Sequence, residues 1–242
     1  MVQKRKVKKV FIVLAVLALA FLAVISVSVY VKVQEAPDTT PTNDAGVKCT
    51  RKEPYKLAPE FERARSLRNQ RLQEAGITLD YSFYNCINID YADLSKDGAE
   101  GMFSFDQNSS IDNLKILVDN SYKIKDDILT AILLQHEITH VGQFVSKLQG
   151  KGELSCIDSE VQAFSNELVF MTLLNPEEKM SLVQRIIYYQ EGGYNNSASL
   201  GIFSQINQLI SLNRKSSDAL VLKSLIDKWV RQNPAYQSQC GI

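Results

Sequence analysis

Leu133-Leu134-Gln135-His136-Glu137-Ile138-Thr139-His140 decides how this chain is read, because it sets two histidines four residues apart inside an apolar helical period. Residues four apart lie one turn from each other on the same helix face, so both imidazoles reach one ion. Zinc suits imidazole nitrogen and takes four ligands, and a catalytic site leaves one of the four positions to water. Glu137, beside the first histidine, is then placed to accept that water's proton rather than to bind the metal. The competing reading is a chance pattern on a surface helix, and three features weigh against it. The chain has 2 histidines, and both fall in this motif. Ile128, Leu129, Ala131, Ile132, Leu133 and Leu134 make the preceding turns apolar, which suits a helix inside a domain. A buried turn carrying His-Glu and His needs a compensating partner, and a metal ion supplies one.

A third ligand has to come from elsewhere, and without another histidine it must be a carboxylate or a cysteine. Glu160 stands near the start of the next expected helix, and Val141–Ser159 is long enough to end one helix, turn, and lay a second alongside. Ala163 follows in an E-x-x-A pattern and is small enough for close helix packing. Alone, a glutamate at a helix start more often compensates the helix dipole. Cys156, four residues before Glu160, is either a zinc-bound thiolate or half of a disulfide that pins the loop ahead of the ligand helix, to Cys240 or Cys86.

With these residues in view, positions 126–174 resemble the gluzincin group of zinc peptidases, in which H-E-x-x-H is completed by a glutamate on a following helix. The resemblance implies His136, His140 and Glu160 as ligands of one Zn2+ and Glu137 as general base of a metallopeptidase acting on a peptide or protein substrate. It also implies an edge strand that holds the substrate, for which Leu114–Val118 is the nearest candidate, and an oxyanion donor such as Tyr188, Tyr189 or Tyr194. The chain departs from thermolysin-like members at Phe164, where they carry an aspartate supporting a zinc-bound histidine. A non-catalytic metal-binding or interaction domain that keeps the same scaffold is the alternative.

Outward from this segment, the period is helical over about 127–149, 158–174, 176–190, 198–212 and 217–232, with Asp158 as the cap of the second helix. Residues 59–75 read as an earlier helix, with proline near its start and Gly76 at its stop. Between them the signals are short strands, at 79–84, 102–105 and 114–118. The expected fold class is α+β and zincin-like, a small N-terminal β-sheet packed on the motif helix and followed by a mostly helical C-terminal half.

The N-terminal region reads differently. Residues 1–9 are basic, and the uncharged run from Val10 to Val31 would span roughly 33 Å as a helix, enough to cross a bilayer core. The basic flank orients such a span with its N-terminus cytoplasmic. The expectation is a membrane-anchored, exported domain, or a secreted one if 10–31 is a cleaved signal. Residues 32–50 read as an exposed linker and 51–242 as the domain. Cys49, Cys86, Cys156 and Cys240 suit an oxidising compartment, with three pairings open. Lys+Arg and Asp+Glu balance at 27 each, leaving no cationic excess to track nucleic-acid phosphates.

Overall fold

The computed structural model describes residues 49–77, 83–97, 99–105, 111–124, 126–190, 206, 208–210 and 219–242. They form an α+β structure of helices α1 (Pro59–Glu74), α2 (Asp127–Leu148), α3 (Cys156–Leu173), α4 (Pro176–Gln190), α5 (Ala219–Gln232) and α6 (Pro234–Cys240), with strands β1 (Ile87–Ala92), β2 (Gly101–Ser104) and β3 (Leu114–Asp119). Residues 206 and 208–210 are helical within the expected 198–212 segment, whose remainder lies outside the described residues, as does 78–82.

Each helix starts and stops for a local reason. Proline opens α1, where its missing N–H costs nothing, and Glu60 and Glu62 sit at the positive end of the helix dipole. Gly76, at φ 72°, takes the left-handed turn that lets Ile77 N–H reach back to the Leu72 carbonyl. Phe61, Ala64, Arg68 and Leu72 give α1 one buried face. Asp126 caps α2 by accepting from Leu129 N–H at 2.9 Å. The cap of α3 differs from the sequence expectation: Ser155 accepts from the Asp158 amide at 3.2 Å, so the helix begins earlier, at Cys156, and Asp158 lies inside its first turn. Asn175 and Glu178 form a reciprocal capping box on α4, with bonds of 2.9 and 2.8 Å. Glu178 also takes a two-pronged ion pair from Arg71, tying α4 to α1.

The sheet order is β1-β3-β2, with β1 parallel to β3 from Ile87 opposite Leu114, and β2 antiparallel from Gly101 opposite Val118. Leu114, Ile116 and Val118 of the central strand are fully buried. This placement bears on two expectations. Of the strand expected over 79–84, residues 79–82 lie outside the described residues and Tyr84 lies in a 3-10 turn, while the alternating Ile87, Ile89 and Tyr91 form β1, which was not among the expected strands. The strand at 114–118 has both hydrogen-bonding edges occupied and is no edge strand, so among the described residues the edge strand next to α2 is β2. A strand paired on both sides has no amide row left to offer a third segment.

Every residue of α2 from Leu129 to Ile138 is buried. Packed by the sheet, α1 and α3, it is covered on all sides, and fully burying each of its large apolar side chains contributes about 1.5–3 kcal/mol. Arg68, itself buried, crosses from α1 to bond Gln135 on α2 at 2.7 Å and the Tyr84 hydroxyl at 2.6 Å.

Two disulfides join Cys49 to Cys86 and Cys156 to Cys240, selecting one of the three open pairings. Both fit an oxidising, extracytoplasmic location. The single-pass membrane placement is corrected. Among the described residues no helix is long and apolar enough to cross a membrane, and the span expected at 10–31 lies outside them. Among the described residues the most apolar helix is α2, whose apolar face is interrupted by His136, Glu137 and His140, and its burial inside the domain accounts for its composition.

Candidate metal centre

The spacing of α2 brings His136 and His140 onto one face, with their Nε2 atoms 3.1 Å apart. Glu160, on the second turn of α3, reaches between them, with Oε2 3.4 Å from His136 Nε2 and Oε1 3.7 Å from His140 Nε2. All three donor groups lie within 4.8 Å of one another, and His136 and Glu160 are buried at 8% and 6% exposure. This group can hold a metal ion. For bonds of about 2.0–2.1 Å, ligands at the corners of a tetrahedron stand roughly 3.3–3.4 Å apart. The observed separations of 3.1, 3.4 and 3.7 Å bracket that value, so the donors need little rearrangement to accept zinc.

The outer nitrogens of both imidazoles are held. His136 Nδ1 meets Glu167 Oε2 at 3.2 Å. Glu167 is 2% exposed, and its Oε1 has no hydrogen-bond partner among the described residues. A buried carboxylate with a spare oxygen is costly unless positive charge stands close by, and a cation bound at His136 Nε2 would supply it through the ring. His140 Nδ1 meets Gln143 Oε1 at 2.9 Å, and Gln143 is fixed in turn by the Ser159 carbonyl at 3.0 Å and Gln162 Oε1 at 2.7 Å. With each Nδ1 engaged, both Nε2 atoms are left to face the ion.

The sequence pointed four residues past Glu160 for the histidine's support and found Phe164. The structure puts the support at Glu167, a further turn along the same face of α3. Phe164 packs edge-on against the His136 ring, 4.5 Å between centroids, and so holds that ring by contact instead of by charge. An acid two turns from the ligand glutamate, at an inward-facing position among apolar residues, is the signal that finds it. Glu167→Leu, which keeps the volume and removes the acceptor, is expected to weaken metal binding by about 10–100-fold. Glu167→Gln, which retains an acceptor, should weaken it less, and competition with a chromogenic chelator measures both.

Glu137 points from α2 toward β2. Burial pushes its carboxyl up to about 7, with His136 opposing and Glu160 adding to the rise, and the Phe103 backbone N–H steadies the charged form. The approach is close: a Cβ at position 101 would lie 2.5 Å from Glu137 Oε1 and 2.9 Å from Leu133 Cδ1. Only glycine lets β2 pass here without displacing the carboxylate. Burial opposes protonation of His136, but Glu160 and Glu167 hold its proton and raise it to about 10. Burial and the His136 charge lower His140.

Of the tyrosines expected as oxyanion donors, Tyr194 lies outside the described residues, as do the side chains of Tyr188 and Tyr189. Two others reach the cluster without having been singled out. Tyr122 is buried and donates to Glu100 at 2.6 Å, and Tyr236 is buried against Phe164, 5.2 Å between centroids. Burial raises both phenols above their ordinary range, with Glu100 the next influence on Tyr122 and Glu160 on Tyr236. Cys156 is disulfide-bonded to Cys240, which removes it as a metal ligand. No family model, no curated protein and no solved structure matches this chain.

Proposed function

We propose that the protein is a zinc-dependent metallopeptidase of gluzincin type, in which His136, His140 and Glu160 bind one zinc ion and Glu137 is the general base. The observation that carries this reading is the near-tetrahedral spacing of the three donors beside a buried carboxylate that is not one of them. When bound, zinc supplies a Lewis acid that polarises a carbonyl and lowers the pKa of water toward about 7. The chain's own residues do the rest. The Glu137 carboxylate accepts a proton from the attacking water and returns it to the leaving amine, a role that suits a carboxyl tuned near neutrality. Gly101 and the Phe103 amide keep that carboxylate in place. Glu167 and Gln143 orient the imidazoles. The outer edge of β2 runs past Glu137 and is the natural track for an extended peptide, which would add as a further strand.

The test combines metal analysis with cleavage. Purified protein is expected to hold zinc near one per chain and to cut members of a random peptide library. Removing the ion with 1,10-phenanthroline should stop cleavage, and added zinc should restore it. Protein that binds no zinc overturns the reading. Protein that binds zinc and cuts no peptide or protein leaves the alternative of a metal-binding domain without turnover.

A further inference from the structure

Three residues of α3 lie one turn apart on a single face: Cys156, Glu160 and Phe164. Each meets a residue of the seven-residue helix α6. Cys156 is bonded to Cys240, Glu160 Oε1 accepts from Gln239 Nε2 at 3.0 Å, and Phe164 packs against Tyr236. Tyr236, Gln239 and Cys240 are spaced three and four apart, so they share one face of α6. The two helices are matched residue against residue, and the middle pair contains a ligand of the metal centre.

We propose that α6 is a clasp for the metal centre, with Gln239 as a positioning residue for Glu160 and the Cys156–Cys240 disulfide as its latch. This rests on the reading of His136, His140 and Glu160 as a zinc site. Among the described residues Gln239 is the one neutral side chain that donates to Glu160, its other polar contacts being the two histidines. A carboxylate on a flexible stem has several rotamers, and aiming it at an ion costs side-chain entropy. A donor on Oε1 selects the rotamer before the ion arrives, so less is lost on binding. The chemistry of the donor also fits. A lysine or arginine here would compete with the cation for the carboxylate charge, whereas an amide fixes the oxygen and leaves the charge in place.

Gln239 cannot hold this position unaided. It is exposed, on a helix of seven residues, too short to be stable by itself. Three ties fasten that helix. Asn233 caps it, accepting from Ala235 N–H at 3.0 Å, Tyr236 is buried against Phe164 and Trp229, and Cys240 is covalently joined one turn ahead of Glu160. Phe164 in turn touches His136, so the same clasp braces two of the three ligands.

The test measures zinc affinity by chelator competition on the full chain. Gln239→Leu is expected to weaken zinc binding by about 10-fold, at the lower end for residues that support a ligand. Replacing the latch with Cys156→Ser and Cys240→Ser should cost a similar factor. Because the latch acts through Gln239, the combined variant should bind about as weakly as either alone, well short of the product of the two losses. Opening the other disulfide with Cys49→Ser and Cys86→Ser should leave the affinity unchanged, which separates positioning from general loosening. Wild-type affinity in Gln239→Leu overturns the positioning role, even if the cysteine variants fail to fold. Losses that simply multiply overturn the latch. A wild-type chain that binds no zinc overturns instead the metal reading on which the clasp depends.

Discussion

Glu137→Gln is expected to retain zinc near one per chain and to lower turnover on a peptide substrate by about 10²–10⁴-fold, the range for loss of a positioned general base. The substitution is nearly isosteric, so the side chain still fits against Gly101 and Leu133 keeps its packing. The amide oxygen can still accept from the Phe103 N–H. What is lost is the ability to take a proton, and turnover reads that ability while metal analysis does not. Comparable activity in the variant would remove Glu137 as the base. Loss of zinc would show instead that Glu137 is a ligand, a role its direction toward β2 argues against.

His140→Ala is expected to bring the zinc content of dialysed protein from near one per chain to background. A structural zinc site of four ligands binds with about 10–16 kcal/mol, or roughly 2.5–4 kcal/mol for each ligand, so one deletion weakens binding by about 10²–10³-fold. The side chain sits at the half-buried rim of the cluster and, among the described residues, bonds Gln143 and Ser159 besides the other ligands. The metal-free fold should therefore tolerate the change, and far-UV circular dichroism of the apo variant should match the parent. Zinc retained at full stoichiometry in this variant would mean that the ion sits elsewhere.

The parts of this centre that were legible in the sequence are those encoded by spacing along one helix. His136, Glu137 and His140 follow from a period of 3.6 residues, and Glu160 from a second helix long enough to return. Glu167 is hidden because thermolysin-like members carry the supporting acid one turn past the ligand glutamate, where this chain has Phe164, and here the bonded carboxylate lies a turn further on. Gln239 and Tyr236 were beyond reach for a different reason. Their positions are set by a cross-link between residues 84 apart, and no local pattern specifies which cysteines pair. The sheet shows the same division. Strands were visible as short apolar runs, but whether Leu114–Asp119 lies at the centre or the edge depends on which strands pair, and local alternation is silent on that. Ile87 and Ile89 carried a clear alternation that the neighbouring aromatic stretch at 79–84 obscured.

The parallel pairing of β1 with β3 also bears on how quickly this chain folds. Antiparallel β2 and β3 are separated in sequence by residues 105–113 alone and can pair from Ser104 opposite Lys115. Ile87 must instead find Leu114 across an entire intervening strand, and the entropy of that closure is lost before any contact repays it. During that interval the apolar turns of α2 lack part of the sheet that shields them and remain open to association with other chains. Refolding is thus expected to be paced by strand pairing remote from the histidines, with the spacing of His136, His140 and Glu160 settling after it.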